Sequence, residues 1–147
     1  MHIRLIICLL LVGCSRKNTP TNVSETDISE QTEDAWECFY ADGSGNRFHF
    51  YRKEGAIHFQ YDPIQPAMSS SGIYSGGTPK AGILSEEQAD LLREQVQIWH
   101  QNSGAHVKVR SKGTSSFRVK KRADEIQFLI PESQLVELNT LLKPLRP

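Results

Sequence analysis

The stretch that decides the fold runs from Arg47 to Asp62 and reads RFHFYRK-EG-AIHFQYD. Apolar and polar residues alternate in both halves, which is the period of a half-buried β-strand, and the Glu-Gly pair between them suits a two-residue turn in which Gly takes a positive φ. We expect Lys53 to pair with Ala56. One face of this hairpin then carries the side chains of Phe48, Phe50, Ile57, Phe59 and Tyr61. A slip of one residue would mix the two faces, so the pattern predicts this register.

The hairpin is preceded by one predicted strand and followed by a long irregular segment and a helix. Residues 36–41 read as the strand, and a Gly-rich turn over residues 42–46 connects it to the hairpin. Residues 62–82 contain three prolines, four glycines and four serines, and we predict no regular element there. The helix begins at the capping box formed by Ser85 and Gln88, and it should end near residue 102.

Two further strands are predicted at residues 106–112 and 117–122, joined by a turn around Gly113, and a third at residues 126–130. Pro131 is placed well to start a second helix. The apolar side of this helix would hold four leucines, Leu135, Leu138, Leu141 and Leu142.

These elements predict an α+β fold, an antiparallel sheet with two helices packed on one face. The order of three strands and a helix occurs twice, and the junctions at residues 83–96 and 129–142 look alike at a constant offset of 46. A duplicated βββα unit is one explanation. The other is that every strand-to-helix junction needs a cap followed by apolar spacing.

The composition is that of one ordinary globular domain. Of 147 residues, 38% are hydrophobic and 23% are charged, and 17 basic residues balance 17 acidic ones. A chain without net charge lacks the basic excess that is typical of dedicated nucleic-acid binders, so we expect no nucleic-acid partner.

The amino terminus, MHIRLIICLLLVGCS, has the features of an export signal. Arg4 supplies a basic start, and residues 5–12 form an apolar run that is too short to span a bilayer as a helix. The sequence Leu11-Val12-Gly13-Cys14 resembles the processing site of bacterial lipoproteins. That resemblance implies cleavage after Gly13, lipidation of Cys14, and an envelope location, with Ser15 favouring the outer membrane and a domain in the periplasm or at the surface.

Three regions follow from this assignment. Residues 1–13 are predicted to be the signal peptide, residues 14–34 the lipidated Cys and a disordered linker, and residues 35–147 a single α+β domain. The linker is rich in Ser, Thr and acidic residues, with too little apolar surface to offset its chain entropy. As a flexible coil it would hold the domain about 25 Å from the lipid.

Basic residues are concentrated in the predicted second hairpin. Residues 95–123 contain seven basic residues and no acidic one. On the strand pattern Val107, Val109, Phe117 and Val119 point inward. Six of the outward positions are candidates for binding an anionic surface: Lys108, Arg110, Lys112, Arg118, Lys120 and Arg122. A merely solvated strand face would show the same residues.

The loop over residues 63–82 offers a different function. Trp36-Glu37-Cys38 and Ser69-Ser70-Ser71-Gly72 resemble pieces of the membrane-bound lysozyme inhibitors, small bacterial lipoproteins whose Ser-x-Ser-Gly loop enters the lysozyme cleft. The resemblance implies loop contacts at Ser71, Gly72 and Tyr74. The second Cys of that family is missing here, and Tyr74 stands one place earlier than the family's Tyr.

No catalytic, metal or cofactor site is predicted. His49 and His58 share the polar face of the hairpin, but the pattern places no Cys, Asp or Glu beside them, so we interpret them as solvated. Cys38 is the one thiol left after processing, and we expect it to be buried. The sequence therefore predicts a membrane-anchored, non-enzymatic binding or structural module, with a protein inhibitor of an exogenous enzyme as the alternative.

Overall fold

The computed structural model describes residues 35–147, so the predicted signal peptide, Cys14 and the linker lie outside the described residues. Within this range the fold is α+β, as predicted. Six strands form one antiparallel sheet: β1 (Trp36–Ala41), β2 (Arg47–Lys53), β3 (Ala56–Asp62), β4 (Lys80–Ile83), β5 (Thr114–Lys121) and β6 (Asp124–Pro131). The helices are α1 (Glu86–Gln101) and α2 (Val136–Leu142). The spatial order of the strands is β4-β3-β2-β1-β5-β6.

The hairpin from β2 to β3 has the predicted register, with Lys53 opposite Ala56 and Phe50 opposite Phe59. The turn uses a positive φ at two residues, 53° at Glu54 and 80° at Gly55. Two successive positive φ values match the right-handed twist of the strands, which explains why so short a turn can close this hairpin.

One face of the sheet forms the core together with both helices. The apolar residues of the β2–β3 hairpin are buried there, as predicted, with Tyr40, Phe117 and Ile130 from neighbouring strands. Helix α1 contributes Leu92 and Val96 to this core, and the segment around α2 contributes four leucines, Leu135, Leu138, Leu142 and Leu145. The capping box of α1 is present: the Gln88 amide donates to the Ser85 hydroxyl, and the Ser85 amide donates to the Gln88 side chain.

The prediction of a strand at residues 106–112 is wrong. This segment is irregular, and its one ladder-like contact is the bond from the Val107 amide to the Leu129 carbonyl, 2.9 Å. Strand β5 instead lies between β1 and β6. Those neighbours place Tyr40 and Phe128 beside Phe117, which buries more apolar surface than two valines could. Val109, predicted to point inward, is 76% exposed.

Three smaller predictions are also corrected. Residues 62–82 include a short 3₁₀ turn, Pro66–Met68, and the whole of β4, which extends the sheet beyond β3. Pro131 ends β6 instead of starting a helix, and a 3₁₀ turn over Glu132–Gln134 precedes α2. The order is thus four strands, a helix, two strands and a helix, so the described residues do not repeat a βββα unit.

Candidate functional site

The helices cover one face of the sheet only, and the opposite face, called the open face below, gathers side chains of mixed chemistry. It is formed by the alternate residues of each strand. Those of β1, β2, β3 and β5 near the middle of the sheet are Glu37, Phe39, His49, Tyr51, His58, Gln60, Arg118 and Lys120. Because neither α1 nor α2 packs here, these are the side chains of residues 35–147 that a ligand lying flat on the sheet would meet.

Phe39 lies at the centre of a row of stacked groups on the open face. The guanidinium carbon of Arg118 is 4.2 Å from the centre of the Phe39 ring, and the His49 ring stacks at 4.2 Å with an interplanar angle of 7°. The row continues from His49 to Tyr51 at 4.9 Å and from Tyr51 to His58 at 5.5 Å. Arg118 and His49 therefore occupy the two faces of Phe39, and a ligand would meet the polar tops of this row rather than a bare aromatic ring.

The charges on the open face are unequally paired. Glu37 accepts a hydrogen bond from His49 Nε2 at 2.7 Å, and Lys120 Nζ lies 3.8 Å from Glu37 and 3.7 Å from Glu125. Arg118 makes no ion pair with any residue in the range 35–147 and is exposed. Arg118 is thus a cation that an aromatic ring holds in place and that no carboxylate within residues 35–147 neutralises.

A shallow groove of about 530 Å³ opens beside Arg118 on the open face. Gln60 lies in its floor, and the exposed ion pair of Arg47 with Asp62 borders it. Since Arg47 is already paired, Arg118 is the charged donor that remains available to an anionic ligand.

The six basic residues proposed from sequence do not form one hairpin face. Arg118 and Lys120 point to the open face from β5, as expected of outward strand positions. Arg122 stands in the turn between β5 and β6 with a φ of 57°. The other three, Lys108, Arg110 and Lys112, are exposed on the irregular segment beside the edge strand β6. The basic residues therefore follow the length of β5 and the adjoining edge, and the predicted hairpin of 106–112 with 117–122 is wrong.

The loop between β3 and β4 is fastened at its base by Asn46, a buried residue at the start of β2. The Asn46 side chain donates to the Tyr74 hydroxyl at 3.0 Å and accepts from the Ile64 amide at 3.1 Å. Its amide group also donates to the buried Asp42 carboxylate at 2.8 Å, and Arg146 approaches that carboxylate to 3.3 Å. The loop base is thus tied to the turn after β1 and to the carboxyl-terminal segment.

The Tyr61 hydroxyl completes this base by donating to the Gly76 carbonyl at 2.6 Å. Burial raises the pKa of Tyr61 above its ordinary value, because the anionic form would lose its hydration. A side chain at Gly76 would overlap Asn46, so only glycine allows this close approach.

The proposed loop contacts are arranged differently from the expectation. Ser71 directs its hydroxyl into the loop, where it accepts from the Tyr74 amide at 3.2 Å, and Gly72 takes a φ of +71°. Tyr74 serves the loop base through Asn46. The projecting residues are instead Met68, 68% exposed, and Ile73, 84% exposed. Sequence reasoning missed both, because isolated apolar residues in a Ser/Gly-rich segment carry no periodic signal.

The histidines on the open face have an acidic neighbour that the sequence analysis overlooked. Glu37 shares the face because Cys38 and Tyr40 point to the core, and strand alternation in residues 36–41 could have shown this. Even so, no group of three potential metal ligands occurs among the described residues.

Cys38 is buried in the core, as expected. Burial raises its pKa to about 12, so the thiol stays protonated at neutral pH and is a poor nucleophile. Burial also raises the pKa of Tyr40 above its ordinary value. The Tyr40 hydroxyl lies 3.2 Å from the Ser115 hydroxyl. Both Cys38 and Tyr40 face the core rather than the groove.

Over the described range, neither helix is long and apolar enough to cross a membrane. Comparisons of the chain with protein-family models, with curated proteins and with solved structures gave no match. The candidate site therefore rests on the geometry of the open face and of the loop after β3.

Proposed function

We propose that this chain is a bacterial envelope lipoprotein, anchored by lipid on Cys14 to the outer membrane, whose domain is a non-enzymatic module that binds anionic head groups through the open face of its sheet. The observation that carries the proposal is the exposed guanidinium of Arg118, which Phe39 holds at 4.2 Å and no carboxylate of the described residues neutralises.

The other basic residues extend this binding surface. Lys120 lies two residues further along β5, and its ion pairs of 3.7 and 3.8 Å are long enough to exchange for a phosphate. Lys108, Arg110 and Lys112 are exposed beside β6. Each basic residue near an anionic membrane contributes about 1 kcal/mol, and the attraction decays within a Debye length of about 8 Å at physiological salt. A tether of about 25 Å keeps the domain close enough to its membrane for such weak contacts to matter.

Co-sedimentation of residues 15–147 with vesicles tests this function. We expect binding to phosphatidylglycerol vesicles, little binding to phosphatidylcholine vesicles, and a steep loss of affinity with salt. Substitution of Gln at Lys108, Arg110, Arg118 and Lys120 should weaken binding at least tenfold. The matched control removes four charges on the helical side, with Gln at Lys80, Arg93, Lys121 and Lys143, and it should bind like the unmodified chain. Equal binding by both variants, or binding independent of salt, would contradict the proposal.

A second candidate function is supported by the loop after β3. Its base is fastened by Asn46 and Tyr61, while Met68 and Ile73 expose apolar side chains at its tip. An ordered loop with exposed apolar residues is suited to insertion into a cleft of another protein, since less conformational entropy is lost on binding. This arrangement favours the protein-inhibitor alternative.

A lysozyme assay tests the second candidate. Residues 15–147 should inhibit the enzyme, and the double variant Met68→Ser with Ile73→Ser should lose inhibition while unfolding at the same temperature. Val109→Ser with Val136→Ser, which removes two similarly exposed apolar side chains outside the loop, is the control and should leave inhibition unchanged. A chain that leaves lysozyme activity unchanged at high micromolar concentration excludes this candidate.

A further inference from the structure

The described chain begins beside a second groove, called the entry groove below. Its volume is about 370 Å³, and it lies where β1 begins and where β2 and β5 end. Four of its lining residues are charged: Glu37, Arg52, Lys120 and Arg122. Arg52 has an interaction of its own, and of the other three Lys120 and Arg122 are basic while Glu37 is acidic, so the groove favours an anionic occupant.

The position of Ala35 at this groove is fixed by the backbone. The Arg122 amide donates to the Ala35 carbonyl at 3.2 Å, which continues the pairing of β1 with β5 by one residue. Ala35 is therefore held next to Arg122. Arg122 itself is exposed and makes no ion pair with residues 35–147.

The segment that precedes Ala35 in the sequence has the complementary charge. Residues 24–34 read SETDISEQTED, with five acidic residues and no basic one. Glu33 and Asp34 directly precede Ala35 in the sequence, and each residue spans at most about 3.6 Å, so their carboxylates are within reach of Arg122 and Lys120. Residues 15–23 contain the basic pair Arg16 and Lys17 and no acidic residue, so the acidic charge is confined to the part of the chain that can reach the groove.

We propose that residues 24–34 dock in the entry groove through Glu33 and Asp34 and compete with anionic ligands for Lys120, which belongs to both the groove and the open face. The docking follows from the groove alone, whereas the competition rests on the proposed function. Because the segment is part of the same chain, its effective concentration at the groove is high, on the order of millimolar. The segment then acts as an internal competitor and sets how much anionic surface is needed before the domain binds.

The docking is tested with the full chain in non-ionic detergent micelles by NMR. The neutral variant carries Glu25→Gln, Asp27→Asn, Glu30→Gln, Glu33→Gln and Asp34→Asn. Its amide shifts should differ from those of the unmodified chain at Glu37, Lys120 and Arg122, and high salt should remove the difference. The control replaces Ser24, Thr26, Ser29 and Thr32 with Ala, which leaves the charge unchanged, and should leave the groove shifts unchanged. Shift changes confined to residues 24–36 would overturn the docking.

Competition is measured in the same samples with inositol hexakisphosphate, a soluble probe that presents clustered phosphates. The neutral variant should bind it about tenfold more tightly, since two or three surface ion pairs are lost. Equal affinity of both chains, with groove shifts unchanged, overturns the inference while the proposed function stands. Groove shifts that differ without any binding of the probe support the docking and contradict the proposed function instead. A charge exchange, Arg122→Glu with Asp34→Arg, should restore the competition that Arg122→Glu alone removes.

Discussion

The Arg118 guanidinium lies 4.2 Å above the centre of the Phe39 ring, and His49 stacks on the opposite ring face. An aromatic ring attracts a cation through its negative face without cancelling the charge, in contrast to a carboxylate. This relationship explains how an exposed strand position can hold a cation in a defined place and still leave it available for an anionic ligand.

Removing either partner should reveal the coupling between Arg118 and Phe39. Arg118→Ala and Phe39→Ala are each expected to lower the free energy of unfolding, and together they should lower it by less than the sum, with a coupling of about 0.5–1 kcal/mol at this exposed site. Denaturant unfolding of the two single variants and the double variant measures it. Additive effects of the two substitutions would show that the contact between Arg118 and Phe39 does not contribute to stability.

The turn between β2 and β3 should be improved by one substitution. Glu54 has a φ of 53°, a conformation that costs an L-residue about 1 kcal/mol but that Asn adopts more readily. Glu54→Asn should therefore raise the free energy of unfolding by about 0.5–1 kcal/mol, and the loss of the exposed 3.6 Å contact with Lys53 should cost little. Thermal unfolding is the measurement, with Glu54→Ala as a control that keeps the strain.

Asn46→Ala should release the loop after β3. The substitution removes the bonds to Asp42, Ile64 and Tyr74 from a buried position, and we expect a loss of about 2–4 kcal/mol. Hydrogen exchange of the amides in residues 63–79 should accelerate more than exchange in β2. Ser71→Ala, at the exposed part of the same loop, should leave the base protected. Unchanged protection of Ile64 and Gly76 would contradict the anchoring role of Asn46.

The buried thiol of Cys38 should make stability fall at alkaline pH. Burial raises its pKa from 9.0 to about 12, so between those values the unfolded state loses a proton that the folded state keeps. The unfolded state is then favoured, and stability should fall by up to about 1.4 kcal/mol per pH unit as pH rises through this window. Cys38→Ala should reduce the loss of stability between pH 9 and 10, which lies below the range where Tyr40 contributes. A fall of equal slope in both proteins would contradict the assignment.

The lipid anchor is tested at Cys14. Cys14→Ser should leave an uncleaved precursor or a form released from membranes, because lipid attachment and processing need the thiol. Cell fractionation with mass analysis of the amino terminus shows which. Cys8→Ser, within the apolar run, is the matched control and should be processed normally. A Cys14→Ser chain that is processed and membrane-bound like the original would refute the lipoprotein assignment.

The sequence by itself determined the local features of this protein. The alternation in residues 47–62 has a period of two, so only one register of the hairpin buries Phe48, Phe50 and Phe59 together, and the structure has that register. The capping box at Ser85 is equally local, because the two bonds join residues three apart. The burial of Cys38 was predicted because an unpaired Cys behaves as a small hydrophobic residue, and the structure confirms it.

Only the tertiary structure decided which strands pair. The alternation around Val107 and Val109 resembles that of a strand, but β5 pairs with β1 and β6 because Phe117 finds Tyr40 and Phe128 there. A local sequence pattern does not show which of two strands that are distant in sequence will be the pairing partner. For the same reason the row of Arg118, Phe39 and His49 could not be predicted, because β5 is distant in sequence from the consecutive strands β1 and β2 that it joins. Cross-strand neighbours are set by the order of the sheet, and that order depends on the total apolar surface that the whole domain buries.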